Sequence, residues 1–327
     1  MRIAPIVLLA SCVYTSQDTD GQWTALTEPC VPLGETRVLL RSPQSVVFSV
    51  AGATLLYSEG VDISQRSLVT DEDRVVIRSD HVTLFGSVDN DLVYFESDGD
   101  REHPVPIDVV VDHGARSSSR YERISPHPGH IAAGLAFAPH GTYWWTIPPD
   151  SQPIEEWRWD PETDAVTPFP TDRRSIVRSD DASLFYFDSL NRPTVRSQTT
   201  GELHFVQAAG PVDITPFPLG IDGDELFYVD DDATSAVLVA RSFGGDQRVL
   251  TRDVSAAGAL GGAFIYFVAS QTTDLEQIAR DGSSARTVFA GGFNSRVFDV
   301  TTDACNVYWQ HLTMDGAAIY GRSLDVL

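Results

Sequence analysis

Lysine is missing from this 327-residue chain, so all 23 basic side chains are arginine. A Schiff-base lysine and the lysine of a phosphate-binding loop are therefore excluded. Acidic residues outnumber basic residues 46 to 23, which gives a formal net charge of −23. Such a field repels nucleic acid and anionic membrane surfaces, because both need clustered positive charge on the protein. We otherwise read the acidic side chains as a solvated surface.

Long apolar runs and catalytic motifs are also scarce. Outside the first dozen residues no stretch of 18 apolar residues occurs, so no transmembrane helix is predicted. The chain has no G-x-S-x-G elbow, no H-E-x-x-H and no glycine-rich phosphate loop. We therefore assign no catalytic residue, no cofactor and no metal ligand. The acidic stretches at 222–225 and 230–232 lack the spacing of a calcium loop and are interpreted as turn acids.

The first residues, MRIAPIVLLASC, resemble a bacterial lipoprotein signal. Arg2 precedes a short apolar run, and small residues precede Cys12. The resemblance implies a signal peptide over 1–11, an acylated Cys12 that anchors the chain in a membrane, and a polar tether over 12–24. Because Val13 is not an aspartate, it also implies the outer membrane of a Gram-negative envelope, with the periplasmic or surface orientation open. The alternative is a chance cysteine.

Only two cysteines remain once Cys12 is set aside. In an oxidising compartment Cys30 and Cys305 form a possible disulfide pair. The alternative is two buried free thiols.

The strongest feature is an internal repeat centred on an aromatic residue. Successive centres are separated by 37, 50, 42, 42, 38 and 42 residues. A period near 42 belongs to propeller blades of four short strands. The centres are Tyr57, Tyr94, Trp144, Tyr186, Tyr228, Tyr266 and Tyr308.

The residue before each centre is apolar, and so is the residue after it in six of the seven repeats, Ser58 being the exception; this predicts strands that are buried on both faces. The sequence thus predicts an all-β protein, a single seven-bladed β-propeller over 25–327. The repeats resemble those of YWTD-type bacterial β-propellers, with YWWT at 143–146 nearest in letters. Asp188 and Asp230 follow their tyrosines by two positions where that family spaces the acid by three. The resemblance therefore implies the fold and transfers no binding residue. Tyr308-Trp309 is interpreted as core packing, the alternative being a ligand platform.

The last repeat stops after AAIYGRSL at 317–324, one strand short of a complete blade. An open sheet edge exposes unpaired backbone groups. We expect ETRVLLRS at 35–42 to supply the missing strand, so that an N-terminal strand closes the ring. A Cys30–Cys305 disulfide would lock this closure.

Four acidic residues stand two positions after a repeat centre: Glu59, Glu96, Asp188 and Asp230. If these strand ends share one rim, the carboxylates could face a common opening and hold a cation or transfer protons. The alternative is a solvated rim.

The longest spacing reflects a locally basic segment, DHGARSSSRYERISPHPGH at 112–130. Long loops on rigid scaffolds often carry binding function. We predict an anion-binding loop formed by Arg116, Arg120, Tyr121 and Arg123, and we expect deletion of 114–126 to leave the fold intact. Alternatives are a plain surface loop or a metal site made by the histidines at 113, 127 and 130.

These observations favour a non-catalytic binding or scaffold propeller, anchored to the bacterial envelope, whose partner is a protein, peptide or glycan. The alternative is a metal-dependent hydrolase, lactonase or lyase of propeller type that uses the carboxylate rim.

Overall fold

The structure is a computed structural model, and the residues it describes form 28 β-strands and no helix. In this part of the chain, no helix has the length and hydrophobicity needed to span a bilayer. The described residues are 29–59, 62–78, 82–88, 91–97, 107–113, 121–127, 130–138, 141–148, 155–169, 178–179, 183–188, 192–198, 202–205, 216–231, 235–292 and 294–324.

The strands fall into units of four, which we number in chain order. Unit 1 contains β2 (Val47–Ala51), β3 (Thr54–Ser58), β4 (Asp62–Ser67) and β5 (Asp73–Arg78). Unit 2 contains β6 (Val82–Val88), β7 (Asp91–Ser97), β8 (Ile107–Asp112) and β9 (Tyr121–Arg123). Unit 3 contains β10 (Ile131–Ala138), β11 (Gly141–Ile147), β12 (Glu155–Asp160) and β13 (Ala165–Pro168). Unit 4 contains β14 (Arg178–Ser179), β15 (Ser183–Phe187), β16 (Pro193–Ser197) and β17 (Leu203–Phe205).

The remaining units follow the same order, except that the last one takes a strand from the N-terminal side. Unit 5 contains β18 (Phe217–Asp222), β19 (Glu225–Asp231), β20 (Ala236–Ser242) and β21 (Gln247–Arg252). Unit 6 contains β22 (Val254–Gly261), β23 (Phe264–Ala269), β24 (Leu275–Ala279) and β25 (Ala285–Phe289). Unit 7 contains β26 (Arg296–Thr302), β27 (Asn306–Thr313), β28 (Gly316–Ser323) and β1 (Arg37–Ser42).

Strands within each unit are antiparallel neighbours in chain order. Five units are separate four-stranded sheets, whereas units 2 and 3 share one eight-stranded sheet. The link between those two is a single parallel pair, Ile131 with Ile107. In unit 7 the N-terminal β1 pairs antiparallel with the C-terminal β28, with Arg37 opposite Gly321 and Ser42 opposite Ala317. The strand expected to complete the last repeat therefore lies where the sequence predicted.

Tight turns join the first and second strands of the units. In three of the described turns a glycine adopts a left-handed φ close to 56°, a conformation that costs other residues energy. These are Gly52, Gly223 and Gly262. In the 222–225 stretch, Gly223 and Asp224 form the turn and Asp222 and Glu225 end the flanking strands, so these acids lie at a turn between strand ends, as the sequence predicted.

The second strand of each unit is buried on both faces. All five residues of β3 are buried, for example, as are the first five of β27. Apolar clusters on these two faces join each unit to the next. Leu56 of unit 1 packs with Tyr94 of unit 2, and corresponding clusters follow through to unit 7. A further cluster joins Ile319 of unit 7 to Leu55 of unit 1, so the first and last units are in contact.

The packing of the second strands shows that the predicted centres of the last two repeats, Tyr266 and Tyr308, are misaligned by one residue. Tyr94, Trp144, Tyr186 and Tyr228 each pack against the unit that precedes them in the chain. Tyr266 and Tyr308 instead lie on the opposite face, and the residues that occupy the equivalent positions are Phe267 and Trp309. Because neighbouring strand residues point to opposite faces, this one-residue offset exchanges the two packing surfaces. Tyr308 and Trp309 are both 0% exposed, so the pair is core packing, as predicted.

Candidate functional site

The four acids that follow the repeat centres lie where a second strand turns towards a third. Glu96 and Asp230 lie near the ends of β7 and β19, and Glu59 and Asp188 directly follow β3 and β15. Chain direction is the same in all four strands, so these acids occupy corresponding ends of their units. The predicted shared rim is compatible with this placement.

Two of these carboxylates are paired with arginines of their own unit. Arg123 Nη2 lies 3.2 Å from Glu96 Oε2. Asp188 is 4% exposed, and its carboxylate accepts hydrogen bonds from the Arg192 backbone N–H at 2.9 Å and from Arg192 Nε at 2.6 Å. These guanidinium groups compete with any cation for the two carboxylates, which makes Glu96 and Asp188 weaker metal ligands.

The basic segment at 112–130 is only partly an insertion. Tyr121–Arg123 forms β9, the fourth strand of unit 2, with Asp112 opposite Tyr121 and Val110 opposite Arg123. Ile124 is 6% exposed and packs in the core with Trp144. The expectation that residues 114–126 can be removed without loss of the fold is therefore wrong for 121–126, because this part completes a sheet and a core cluster.

The four residues of the predicted anion-binding loop have different positions. Arg116 and Arg120 lie outside the described residues. Tyr121 begins β9, and the half-exposed Arg123 lies within 3.4 Å of Asp108 as well as 3.2 Å from Glu96. Arg123 is thus neutralised by two carboxylates of its own unit, which leaves Arg116 and Arg120 as the positive charges of the prediction.

The three histidines of this segment do not share their partners. His113 is buried, with Nδ1 3.4 Å from Asp91 Oδ1 and Nε2 3.8 Å from Glu122 Oε2. His127 instead lies 3.0 Å from Glu155, with its ring 5.0 Å from the ring of His130. Within the described part of the chain, the only three side chains whose potential metal-ligand atoms lie within 4.8 Å of one another are those of Cys30, Asp303 and Cys305.

Those two cysteines are joined, which confirms the predicted disulfide. Their Cα atoms are 5.8 Å apart. The bond ties the segment before β1 to the turn that precedes β27. In this turn Asp303 Oδ1 accepts hydrogen bonds from the backbone N–H groups of Cys305 and Asn306, each at 2.7 Å.

Several tyrosine hydroxyls in the second strands have a pKa that is raised by burial. Burial, followed by the nearby Asp73 carboxylate, raises the pKa of Tyr57 to about 12. Burial also raises the pKa of Tyr143 and of Tyr228. Burial and then Asp303, which accepts a 2.7 Å hydrogen bond from the hydroxyl, raise the pKa of Tyr308. These hydroxyls are therefore kept neutral and are not poised for proton transfer near neutral pH.

Asp299 has an unusual backbone conformation that no sequence pattern predicts. It lies in β26 at a β-bulge between Phe298 and Thr301, with a left-handed φ of 52°. The residue is exposed, yet the surrounding protein desolvates its carboxyl and raises its pKa. Its carboxylate has no hydrogen-bond partner in the described structure.

No protein-family model and no curated protein sequence matches this chain. Solved structures do match. The β-propeller domain of the Trilobed protease from Pyrococcus furiosus, described as having an open velcro topology, aligns with a TM-score of 0.63, 11% identity, 88% coverage of this chain and 97% of that chain. The shared fold is that of a β-propeller.

Two enzymes give similar matches. An oligogalacturonate lyase in complex with manganese has a TM-score of 0.59 and 11% identity, covering 92% of this chain and 89% of that chain. The acylaminoacyl peptidase of Pyrococcus horikoshii has a TM-score of 0.57 and 9% identity, covering 82% of this chain and 49% of that chain. This chain therefore spans about half of the peptidase. At such identities the similarity shows the fold alone.

Proposed function

We propose that units 1 to 7 are the blades of one closed β-propeller, completed by β1 and locked by the Cys30–Cys305 disulfide. Three observations support this: the β1–β28 pairing, the apolar clusters between successive units, and the cluster between units 7 and 1. An experimental structure tests the proposal directly. Six or eight blades, or a gap between units 7 and 1, would contradict it.

The chain is held at the bacterial envelope through acylated Cys12, with the signal peptide at 1–11 and the tether at 12–24. Support for this part comes from the sequence alone, since these residues lie outside the described ones. Cells fed labelled palmitate should incorporate the label into wild-type protein and not into Cys12→Ser, which should leave the membrane fraction. Absence of label from the wild-type protein would refute the anchor.

The function of the protein is non-catalytic binding of a protein, peptide or glycan. The observation that carries this proposal is the pairing of Glu96 and Asp188 with arginines, which occupies half of the predicted carboxylate rim. The runner-up, a metal-dependent propeller enzyme, needs these carboxylates as ligands. Elemental analysis of the purified protein separates the two. A stoichiometric divalent metal that is lost when Glu59, Glu96, Asp188 and Asp230 become alanine would favour the enzyme.

The binding partner is acidic and contacts the segment at 112–130. On a chain with a net charge of −23, Arg116 and Arg120 provide local positive charge, and the arginine fork suits carboxylates. Polyglutamate and oligogalacturonate serve as peptide and glycan probes. Arg116→Ala/Arg120→Ala should weaken binding of one probe up to about thirtyfold at low salt, since exposed charges contribute about 0–1 kcal/mol each, or up to about 2 kcal/mol for the pair.

A matched control is Arg248→Ala, because Arg248 is already paired with Glu225 at 2.8 Å in unit 5. This variant should bind as the wild type does. Equal weakening by the control would reduce the effect to net charge and contradict the assigned site. Binding of neither probe would contradict an acidic partner.

A further inference from the structure

Two buried side-chain amides lie on one face of β27. Asn306 and Gln310 are both 0% exposed and are separated by four positions, so they point to the same side of the strand. Polar groups in a propeller core need hydrogen-bond partners, because an unpaired buried amide is costly. Both amides find those partners in the segment that surrounds β1.

Asn306 binds the segment before β1 as a neighbouring strand would. Its Oδ1 accepts a hydrogen bond from the Leu33 backbone N–H at 2.9 Å, and its Nδ2 donates to the Val31 carbonyl at 3.0 Å. The Ser323 hydroxyl accepts another bond from the Gly34 N–H at 2.8 Å. Residues 31–34 are thus attached to unit 7 by contacts that do not involve sulfur.

Gln310 repeats this arrangement beyond the other end of β1. Its Oε1 accepts hydrogen bonds from the Val46 backbone N–H at 3.1 Å and from the Ser45 hydroxyl at 3.0 Å, and its Nε2 donates to the Val46 carbonyl. The two amides therefore hold residues 31–46 at both ends, with β1 between them.

We propose that Asn306 and Gln310 form a latch that keeps residues 31–46 docked on unit 7 without the Cys30–Cys305 disulfide. Release of the segment would break these hydrogen bonds of both buried amides, which opposes opening whether or not the sulfurs are bonded. The inference depends on the β1–β28 pairing, not on the number of blades or on any ligand. It makes closure of the fold insensitive to the redox state of its surroundings.

Hydrogen–deuterium exchange of the full chain tests the latch, with the peptide at 31–46 as the readout and the peptide at 236–252 in unit 5 as the internal reference. Cys30→Ser/Cys305→Ser should leave exchange of 31–46 within threefold of the wild type. Adding Asn306→Ala and Gln310→Ala to that variant should accelerate it more than tenfold while the reference peptide stays unchanged. If the fourfold variant does not fold, Gln310→Ala alone in the disulfide-free protein takes its place, with acceleration expected mainly at 43–46.

The matched control is Gln65→Ala. Gln65 is a buried glutamine, 3% exposed, whose side chain bonds Thr54 and Arg74 within unit 1. In the disulfide-free protein this control should not accelerate exchange of 31–46. The latch is refuted if loss of the disulfide alone accelerates that exchange tenfold, if the amide variants leave it protected, or if the control has the same effect.

Discussion

Replacing Ile124 with alanine tests whether the end of the basic segment is a structural strand or a free loop. The side chain is 6% exposed and lies in the core cluster that joins units 2 and 3. The substitution removes about three buried carbon atoms at about 0.8 kcal/mol each, or about 2.4 kcal/mol. Incomplete collapse around the cavity raises the expected loss to about 3 kcal/mol.

Urea unfolding followed by tryptophan fluorescence measures this loss. For a slope of about 3 kcal/mol per molar urea, the midpoint should fall by about 1 M. Val249→Ala is the control, because Val249 lies in a fourth strand but is 46% exposed, and it should shift stability by less than about 0.5 kcal/mol. An Ile124→Ala protein as stable as this control would refute the core position of Ile124 and favour a free loop at the end of the basic segment.

The same reasoning separates two deletions. Removing 115–119 leaves residues 113, 114 and 120 to connect Asp112 with its β9 partner Tyr121, which is enough for a hairpin connection, and should preserve the midpoint, since loop length has only a small entropic effect. Removing 114–126 also removes Ser125, whose hydroxyl accepts a 2.8 Å bond from the buried Val109 N–H. Because β9 and Ile124 are lost as well, units 2 and 3 should no longer fold stably, and their cooperative unfolding transition should disappear. Equal stability of the two deletions would contradict the structure.

Three further predictions concern packing, pairing and acidity. Gly134→Ala should lower the free energy of unfolding by about 2–3 kcal/mol by urea titration, because its φ is +63° and a Cβ would lie 1.5 Å from Trp145 Cη2; an unchanged midpoint would contradict this contact. Arg192→Ala should cost about 1–2 kcal/mol by the same assay, because it leaves the buried Asp188 carboxylate without its guanidinium; a neutral effect would show that water replaces the arginine. The pKa of Tyr57 is raised to about 12 in the folded chain against about 10 unfolded, so the stability it contributes is present below pH 10 and is lost as the pH rises towards 12. Tyrosinate absorbance of the native protein should therefore lag behind that of the urea-unfolded protein, and coincident titration curves would refute the shift.

The fold was predictable because its dominant signal is local and repeated. Every second strand is apolar on both faces, so a period near 42 residues was visible without any long-range information. The disulfide followed from counting, since Cys30 and Cys305 remained after Cys12. The offset of the last two centres was not predictable, because adjacent aromatics such as Tyr308 and Trp309 fit either face of a doubly buried strand equally well.

The site residues were harder to predict for a physical reason. β9 is three residues long and polar, and its role is fixed by pairing with β8 and not by any pattern of its own. Asp299 has its unusual backbone conformation at a β-bulge. The buried amide of Asn306 is hydrogen-bonded to residues 273 and 275 positions away in the sequence. Such properties arise from tertiary contacts and leave no periodic trace in the sequence.

The β1–β28 pairing also determines how late in protein synthesis the fold can be completed. Arg37 meets Gly321 only after almost the whole chain has been made, so β1 waits while the intervening units are synthesised. Until then, the apolar side chains of Leu39 and Leu33 lack their partners in unit 7, and the β28 edge emerges unpaired. Contacts of this sequence separation form slowly and expose a nascent chain to aggregation. A chain whose synthesis stops before residue 316 would therefore lack β28, the strand with which β1 pairs.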